Sequence, residues 1–482
     1  MPDTRGVTDT HEHAELDGSA RDQPSPRRRR IVRREAIRER WAVMLVLFVW
    51  GWWVGPRLLL TLTAPKSRSS VGEVSAGASP YAALALTVST WAVLGLCALI
   101  VMSTIRDPHP GHLAGLVVML APWLYLVVRD MFAQDRPTAV TLVFPAVVVA
   151  LWILRPRLQL LAVLGLLCGI SVLIAIVLGL AVPSKGIFHF DTGDLVIDDK
   201  ATLPMGILVG YLTHGNSMGI ATVLSLPLIF LVKKEWARAA LLYLVPTALA
   251  RPVFIGLAVF ALFWSASRSS WGAAAVGLIA FAVIKVMPLN LRRPLGPIVA
   301  LVPFALVATL PWVTHDPTAF TNRGFIWSSS LEYWRLHPFA GWGANFYDTI
   351  GQTSDRIAAT AFHGHNQMVQ LLVTGGVVVV VLVGLVIIAC AVRAGRFAEQ
   401  GHVVGVVYLA TLAGASLLEK PFSVVDNYGT FPVFVLPVAL LMFADRSPLL
   451  EGDKLWPDVG PEFLVAPSAR PGLLPLPPTS RG

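Results

Sequence analysis

The segment of residues 314–376 holds the side chains best suited to chemistry, because it is the longest mostly polar stretch between two long apolar runs. Asn322 is a good helix cap, and we expect a helix that begins at Arg323 and ends at His337, which precedes a proline. Arg323 then lies in the first turn, where free backbone N–H groups and a guanidinium can converge on a bound anion. The alternative is an arginine that only reaches lipid headgroups.

A second arginine, Arg268, lies in a short polar break between two apolar runs, at residues 265–270. The neighbouring serines offer hydroxyl donors, and the helix that follows presents its N-terminus to the same side. Because Arg268 and Arg323 both stand at helix starts, we expect a shared anionic ligand. A diphosphate fits better than a carboxylate, since two guanidinium forks can hold several of its oxygens at once. A contact with lipid headgroups is again the alternative.

His365 and Asn366 stand immediately before the apolar run at 367–392. Asn366 is expected to cap that helix, which leaves His365 at the membrane surface beside the positive end of the helix dipole. This field favours the neutral imidazole, the form that a general base needs. His363 competes for the same role, and an interfacial histidine without a role is the alternative. The acidic residues nearby show no metal-ligand spacing, so we expect neither a metal nor a cofactor.

The composition indicates the class of protein that positions these residues. Of the 482 residues, 55% are hydrophobic and 14% are charged, whereas soluble domains are about 25% charged. Apolar runs near or above about 18 residues recur along the chain, as in membrane helices. The net charge is +9, but the basic residues lie in short loops and at the N-terminus, which indicates topology rather than nucleic-acid binding. We predict an all-α polytopic membrane protein.

About twelve transmembrane helices are predicted from the apolar runs. They lie near residues 41–64, 81–105, 112–131, 138–154, 158–182, 205–232, 237–264, 271–287, 296–313, 367–392, 402–418 and 430–444. The sixth is interrupted by His214-Gly215-Asn216 and the seventh by Arg251-Pro252, so either could be partly interfacial.

The positive-inside rule then sets the orientation. With the N-terminus in the cytoplasm, the basic loops fall on the cytoplasmic side, at Arg106, Arg155, Arg157, Lys233, Lys234, Arg292, Arg293, Arg393 and Arg396. One large extracytoplasmic loop separates helices 9 and 10, and Arg268 and Arg323 lie on the side where arginine is disfavoured. The predicted organisation is a cytoplasmic basic arm at 1–40, helices 1–9 at 41–313, the catalytic loop at 314–366, helices 10–12 at 367–444, and a cytoplasmic proline-rich tail at 445–482.

At these residues the chain resembles the O-antigen ligase and polymerase superfamily of bacterial envelope glycan assembly. Four elements between about residues 200 and 440 carry the resemblance: Ser267-Arg268-Ser269; Arg323-Gly324 through Trp327, with His337-Pro338-Phe339-Ala340-Gly341-Trp342-Gly343; His365-Asn366 followed after nine residues by Gly376; and, more weakly, His214-Gly215-Asn216. The family's second glycine after Gly376 is missing, since Val379 and Val380 stand there. This departure concerns helix packing more than chemistry.

The resemblance implies a membrane glycosyltransferase. It would transfer or polymerise a glycan from an undecaprenyl-diphosphate-linked donor onto a hydroxyl of a glycan or glycolipid acceptor, at the extracytoplasmic face of a bacterial plasma membrane. Arg268 and Arg323 would bind the diphosphate, and His365 would assist the attacking hydroxyl, with no metal and no nucleotide sugar. Four further residues are candidates for substrate binding: Asn366, His337, Trp327 and His363.

Other interpretations stay open at this point. A transporter or flippase of lipid-linked glycans would place ionisable residues at the membrane midplane on broken helices, whereas the notable residues here cluster at one face. A membrane scaffold without activity would tolerate replacement of Arg268, Arg323 or His365. Glu419-Lys420, at the outer end of the eleventh apolar run, is either a simple ion pair or an acceptor contact.

Overall fold

The computed structural model describes residues 26–64, 66–68, 74–76, 79–104, 113–132, 137–189, 205–212, 214–232, 247–349, 363–425 and 428–444. The predicted tail, residues 1–25 of the predicted arm and residues 350–362 of the predicted catalytic loop lie outside this part of the chain.

Helices dominate the described residues, with two short antiparallel strand pairs beside them. The helices are α1 (Pro26–Thr63), α2 (Pro80–Thr104), α3 (Leu113–Phe132), α4 (Ala139–Leu154), α5 (Leu160–Ala181), α6 (Pro183–Gly186), α7 (Gly215–Ile229), α8 (Thr247–Trp264), α9 (Arg268–Val286), α10 (Leu289–Val313), α11 (Ala319–Leu336), α12 (Phe346–Thr349), α13 (Gln367–Glu399), α14 (Val404–Leu418) and α15 (Val435–Phe443). The strands are β1 (Lys66–Arg68), β2 (Val74–Ala76), β3 (Ile187–Phe188) and β4 (Ile207–Leu208), with β1 paired to β2 and β3 to β4.

Among the described helices, seven are long and apolar enough to cross a membrane, namely α1 from Ile37, α2, α3, α5, α9, α10 and α13. Four shorter helices are also apolar: α4, α7, α8 from Leu249, and α14. Helices satisfy their own backbone hydrogen bonds, which is the condition for crossing a bilayer. The predicted all-helical, polytopic membrane protein is confirmed, while the count of twelve and the placement of the loop stay predictions.

Two predicted spans differ from the observed helices in an informative way. The predicted sixth span, 205–232, is helical only from Gly215, because His214 caps α7 by accepting the N–H of Asn216 on Nδ1. Before the cap, β4 pairs with β3. In the predicted seventh span, Arg251-Pro252 lies inside α8 and does not interrupt it. Near the N-terminus, α1 begins at Pro26, so this helix extends into the predicted cytoplasmic arm.

Helix α14 packs against α7, α9, α10 and α13. Small residues allow these helices to approach closely. A Cβ on Gly277 of α9 would lie 2.2 Å from Thr411 Oγ1, and one on Gly414 of α14 would lie 2.8 Å from Ala273 Cα. The C-terminal end of α14 therefore has a fixed position relative to the starts of α7 and α13.

Helix α13 is broken at Gly376, where the backbone has φ 65° and ψ −168°, a conformation that essentially only glycine adopts. The break separates a short half-helix, residues 367–375, from the long remainder. It also deprives several backbone groups of their intrahelical partners, which is costly in an apolar surrounding. These groups need partners from another part of the chain.

The partners come from residues 337–343, which we call the kink loop. Its hydrogen bonds to α13 are Trp342 N to Val373 O at 2.7 Å, Gly343 N to Thr374 O at 2.9 Å, Val377 N to Pro338 O at 2.9 Å and Val378 N to Phe339 O at 3.4 Å. The two backbones approach closely at Gly341, where a Cβ would lie 2.6 Å from Gly375 N. The loop thus joins both sides of the break.

Replacing Gly376 by alanine should destabilise the folded protein by about 2–4 kcal/mol, because the conformation is strained for any other residue and the new Cβ would lie 2.1 Å from Phe339 O. Gly384, on the same helix, has no atom within 4 Å of its Cβ position and is the matched control. The measurement is the thermal unfolding midpoint in detergent. Equal midpoints for Gly376→Ala and Gly384→Ala would contradict the role given to the kink.

Candidate functional site

The carboxylate of Glu419, immediately after α14, is the centre of a cluster of polar side chains. The residue is only 2% exposed. Its Oε1 accepts hydrogen bonds from Arg323 Nη2 at 2.5 Å and from Asn216 Nδ2 at 2.9 Å. Its Oε2 lies 3.5 Å from His365 Nδ1 and 3.9 Å from His363 Nε2. Side chains from α7, α11 and the segment before α13 therefore meet at one buried charge.

Asn366 fixes the start of α13, as the sequence predicted. Its Oδ1 accepts the backbone N–H groups of Met368 at 2.8 Å and Val369 at 3.1 Å. Its Nδ2 donates to Val307 O of α10 at 3.1 Å and to Leu417 O of α14 at 3.0 Å. Because the side chain is fully buried, all four bonds are shielded from water. Asn366 thus caps the helix and holds it against two neighbours.

His365 occupies a left-handed conformation, φ 45°, which turns its ring toward the cluster. Its N–H donates to His363 Nδ1 at 3.1 Å, and the two ring centroids lie 4.0 Å apart. Arg323 Nε donates to His365 Nδ1 at 3.5 Å, and Glu419 Oε2 lies 3.5 Å from the same Nδ1. When Nδ1 instead carries a proton, it donates that proton to Oε2, and Nε2 is the acceptor. A neutral His365 in this tautomer can take a proton from a substrate.

The charges in the cluster favour an ionised Glu419 and a neutral His363. Burial alone would raise the pKa of the Glu419 carboxyl, but the hydrogen bond from His365 and the charge of Arg323 outweigh it, and the pKa is lowered. Burial, followed by the nearby charges of His365 and Lys420, lowers the pKa of His363 well below its usual value. The cluster therefore combines one carboxylate with a guanidinium held directly against it.

Arg323 lies in the first regular turn of α11, but not for the predicted reason. Asn322 does not cap the helix: Thr318 is the N-cap residue, and Phe320, Thr321 and Asn322 form a left-handed kink with φ between 54° and 65°. The N–H of Phe325 donates to Pro317 O, so it is not free for an anion. An anion at this helix start would be met by the guanidinium of Arg323.

The turn before Arg268 lies against the start of α7. The turn that precedes it packs on two glycines: a Cβ on Gly219 would lie 2.4 Å from Ser267 Cβ, and one on Gly215 would lie 2.8 Å from Ser265 O. Asn216, between these glycines, is the residue that donates to Glu419. Arg268 itself is exposed. Its predicted ligand, shared with Arg323, stays a prediction.

Trp327 and His337 lie in the packing around the site. Trp327 is fully buried in a small core with Ile326 and Val369. Among the described atoms its indole N–H has no hydrogen-bond partner. His337 ends α11, as predicted, and its ring packs edge-on against Trp342 at 4.2 Å. Their predicted roles in substrate binding are not tested by these contacts.

The donor atoms of His363, His365 and Glu419 lie within 4.8 Å of one another, and these residue types can bind a metal ion. The sequence did not indicate this group, because Glu419 is distant in the chain. However, Glu419 Oε1 already accepts two hydrogen bonds, one of them from the positively charged Arg323. A cation would be repelled by that guanidinium. The arrangement fits a carboxylate that orients a histidine better than a carboxylate that binds a metal.

The fold and the cluster define a polytopic membrane protein in which a buried carboxylate, an arginine and two histidines lie together at one end of its helices. Residues 252–384 match the family model described as O-Antigen ligase. The matched range contains Arg268, Arg323, His337 and His365, and it confirms the resemblance found in the motifs. It ends before Glu419. A search of the curated proteins found no match to the chain.

The half-buried His363 should make the folded protein less stable in acid. Because its pKa is lowered on folding, the folded chain binds fewer protons than the unfolded chain, and stability falls as the pH drops below the ordinary value of 6.5. In His363→Gln, which stays neutral and can still accept the His365 N–H, this dependence should be smaller. Thermal midpoints at about pH 7.5 and pH 5.5 measure it. An equal loss in both proteins would contradict a His363 that stays neutral in the folded protein.

Proposed function

We propose that this protein is an O-antigen ligase-like membrane glycosyltransferase. It transfers or polymerises a glycan from an undecaprenyl-diphosphate-linked donor onto an acceptor hydroxyl of a glycan or glycolipid, in cell-surface polysaccharide biosynthesis. The observation that carries the proposal is the convergence of Arg323 and His365 on the buried carboxylate of Glu419. The family match over residues 252–384 supports a role in this kind of glycan assembly.

In the proposed reaction, His365 Nε2 removes the proton of the acceptor hydroxyl as its oxygen attacks the anomeric carbon of the donor. The bond from that carbon to the diphosphate oxygen breaks, and the lipid diphosphate leaves with the electron pair. Arg323 and Arg268 stabilise the negative charge that develops on the leaving group. In the imidazolium, Nδ1–H donates to Glu419, whose carboxylate stabilises the positive charge as the carboxylate does in a catalytic triad. Every proton and electron pair has a destination in this scheme.

The contact between Arg323 and Glu419 gives donor binding a second effect. In the structure Arg323 Nη2 donates to Glu419, and the Arg323 side chain is 16% exposed. A diphosphate that attracts Arg323 weakens this ion pair. Arg323 then no longer donates to His365 Nδ1, and that nitrogen can donate to Glu419 Oε2 instead. Donor binding would therefore favour the tautomer in which Nε2 faces the acceptor hydroxyl as a proton acceptor.

The proposed orientation puts this cluster at the extracytoplasmic face of a bacterial plasma membrane, with both termini in the cytoplasm. The positive-inside rule supports it, because the basic loops of the sequence alternate with the segments that carry the cluster. The proposed division is the predicted one: arm 1–40, helices 41–313, loop 314–366, helices 367–444 and tail 445–482. The site at the ends of α7, α13 and α14 favours an enzyme over a flippase, since a flippase site is expected near the midplane.

The test is glycan transfer by the purified protein in vesicles, with a polyprenyl-diphosphate glycan as donor. His365→Ala should lower kcat by about 100-fold or more. Arg268→Ala and Arg323→Ala should weaken donor binding as well as kcat, because they lose contacts to the diphosphate. Arg335→Ala is the matched control, since this exposed arginine lies in the last turn of the same helix as Arg323.

Full transfer by all three site variants would refute the assigned roles. If the wild-type protein transfers no glycan but moves the donor across the bilayer, the protein is a flippase.

The proposal also predicts that transfer is independent of divalent metal ions. Two cations supplied by arginine neutralise the leaving group, so treatment with a chelator should leave the rate within about twofold of the untreated enzyme. The control is the same preparation with excess zinc or magnesium restored after chelation. Loss of transfer on chelation with recovery on adding one metal would assign His363, His365 and Glu419 as its ligands instead.

A further inference from the structure

Arg129, near the end of α3, contacts the kink loop from outside the range that matches the O-antigen ligase family. Its Nη2 donates to Gly341 O at 3.0 Å, and its Nη1 donates to Asp130 Oδ1 at 2.8 Å. The guanidinium lies against Gly343, where a Cβ would come within 2.2 Å of Nη1. Its side chain is 23% exposed and that of Asp130 10%. A paired, largely buried charge therefore attaches the loop to α3.

The kink loop in turn controls the short half of α13. Gly341 is followed directly by Trp342 and Gly343, whose N–H groups donate to Val373 O and Thr374 O. These carbonyls belong to the half-helix of residues 367–375. The loop therefore connects α3 to the element that carries the capped end of α13.

The half-helix is held at two places: Asn366 bonds its start to Val307 O and Leu417 O, and the kink loop bonds its end at Val373 O and Thr374 O. His365 precedes the start, so its position depends on both attachments. From the break at Gly376 back to Asn366 there are ten residues, so the half-helix is about 15 Å long. A tilt of about 4° at the break moves its far end by about 1 Å, and an error of that size can lower a rate by about 100-fold. The direction of the half-helix therefore decides whether Nε2 of His365 is in line with the acceptor hydroxyl.

We infer that Arg129 is a positioning residue for the proposed glycan transfer: it holds the kink loop on α3 and so fixes the direction of the half-helix that presents His365. The inference rests on the proposed function. Arg129 touches neither donor nor acceptor in this scheme, so its loss affects the chemical step and spares donor binding.

The test compares Arg129→Met with wild type in the same vesicle assay. The unbranched methionine keeps much of the apolar stem and removes both hydrogen bonds. We expect kcat to fall by about tenfold to 100-fold, with the donor KM within about twofold of wild type. Arg129→Lys, which keeps the charge but lacks the fork that reaches both Gly341 and Asp130, should have an intermediate kcat. It also serves as the main variant if Arg129→Met does not fold.

The matched control is Arg293→Met. Arg293 also pairs with an acidic residue, Glu399, on α13, but this pair is 3.9 Å apart, well exposed and at the other end of that helix. It should retain the wild-type kcat. The thermal midpoint of each variant separates a general loss of stability from misplacement of His365, because misplacement lowers kcat in protein that remains folded.

Three outcomes would overturn the inference. A wild-type kcat in folded Arg129→Met means that the contact positions nothing. A raised donor KM with unchanged kcat means that Arg129 binds the donor. An equal loss in Arg293→Met means that any such pair affects the rate. In each of these three outcomes the wild-type protein still transfers glycan, so the proposed function stands. If the wild-type protein transfers no glycan, the proposed function itself is wrong.

Discussion

The rest of the site depends on one physical constraint: the Glu419 carboxylate is buried, and a buried charge must be paired and hydrogen-bonded. Arg323 supplies the opposite charge, and Asn216 supplies a second donor to the same oxygen. These residues come from α11 and α7, far apart in the chain. Helices α7, α11 and α14 must therefore meet at this point for the charge to be stable. The same requirement places His365 beside Oε2.

Such a pair is costly for stability alone, because well-packed apolar residues often replace a buried ion pair without loss. In this membrane protein the buried ion pair lies at the end of an apolar helix bundle, and it also has a role in the proposed reaction. The arrangement keeps a carboxylate charged next to an imidazole, and it keeps a guanidinium at a helix start with part of its surface accessible. These are the two requirements of the proposed transfer: a base for the acceptor and a cation for the leaving group.

The second constraint is the break in α13. A helix broken within an apolar layer must find partners for its exposed backbone groups, and the kink loop provides them on both sides of Gly376. This explains why the glycines of the kink loop and those of α13 are required together: their backbones contact each other directly at Gly341 and Gly376. The missing second glycine is consistent with this packing, since Val379 is fully buried where it stands.

The class of fold could be predicted from the amino-acid sequence alone, because apolar runs of sufficient length form helices in a membrane wherever they pack. So could local features that depend only on neighbouring residues, such as the Asn366 cap and the helix end at His337. The prediction was wrong where local backbone geometry overrode the expected cap, at Asn322, and where a cap at His214 shortened the sixth span.

The partner of Glu419 could be identified only in the folded protein. In the sequence, the neighbouring Lys420 was a possible ion-pair partner of Glu419, and nothing in the spacing indicated Arg323 or Asn216. An acidic residue at the end of an apolar run indicated that a polar group is buried there. It did not indicate which side chains surround that group. Contacts between residues about one to two hundred positions apart depend on how the helices pack, and that packing is set by small residues such as Gly277 and Gly414 rather than by any local pattern.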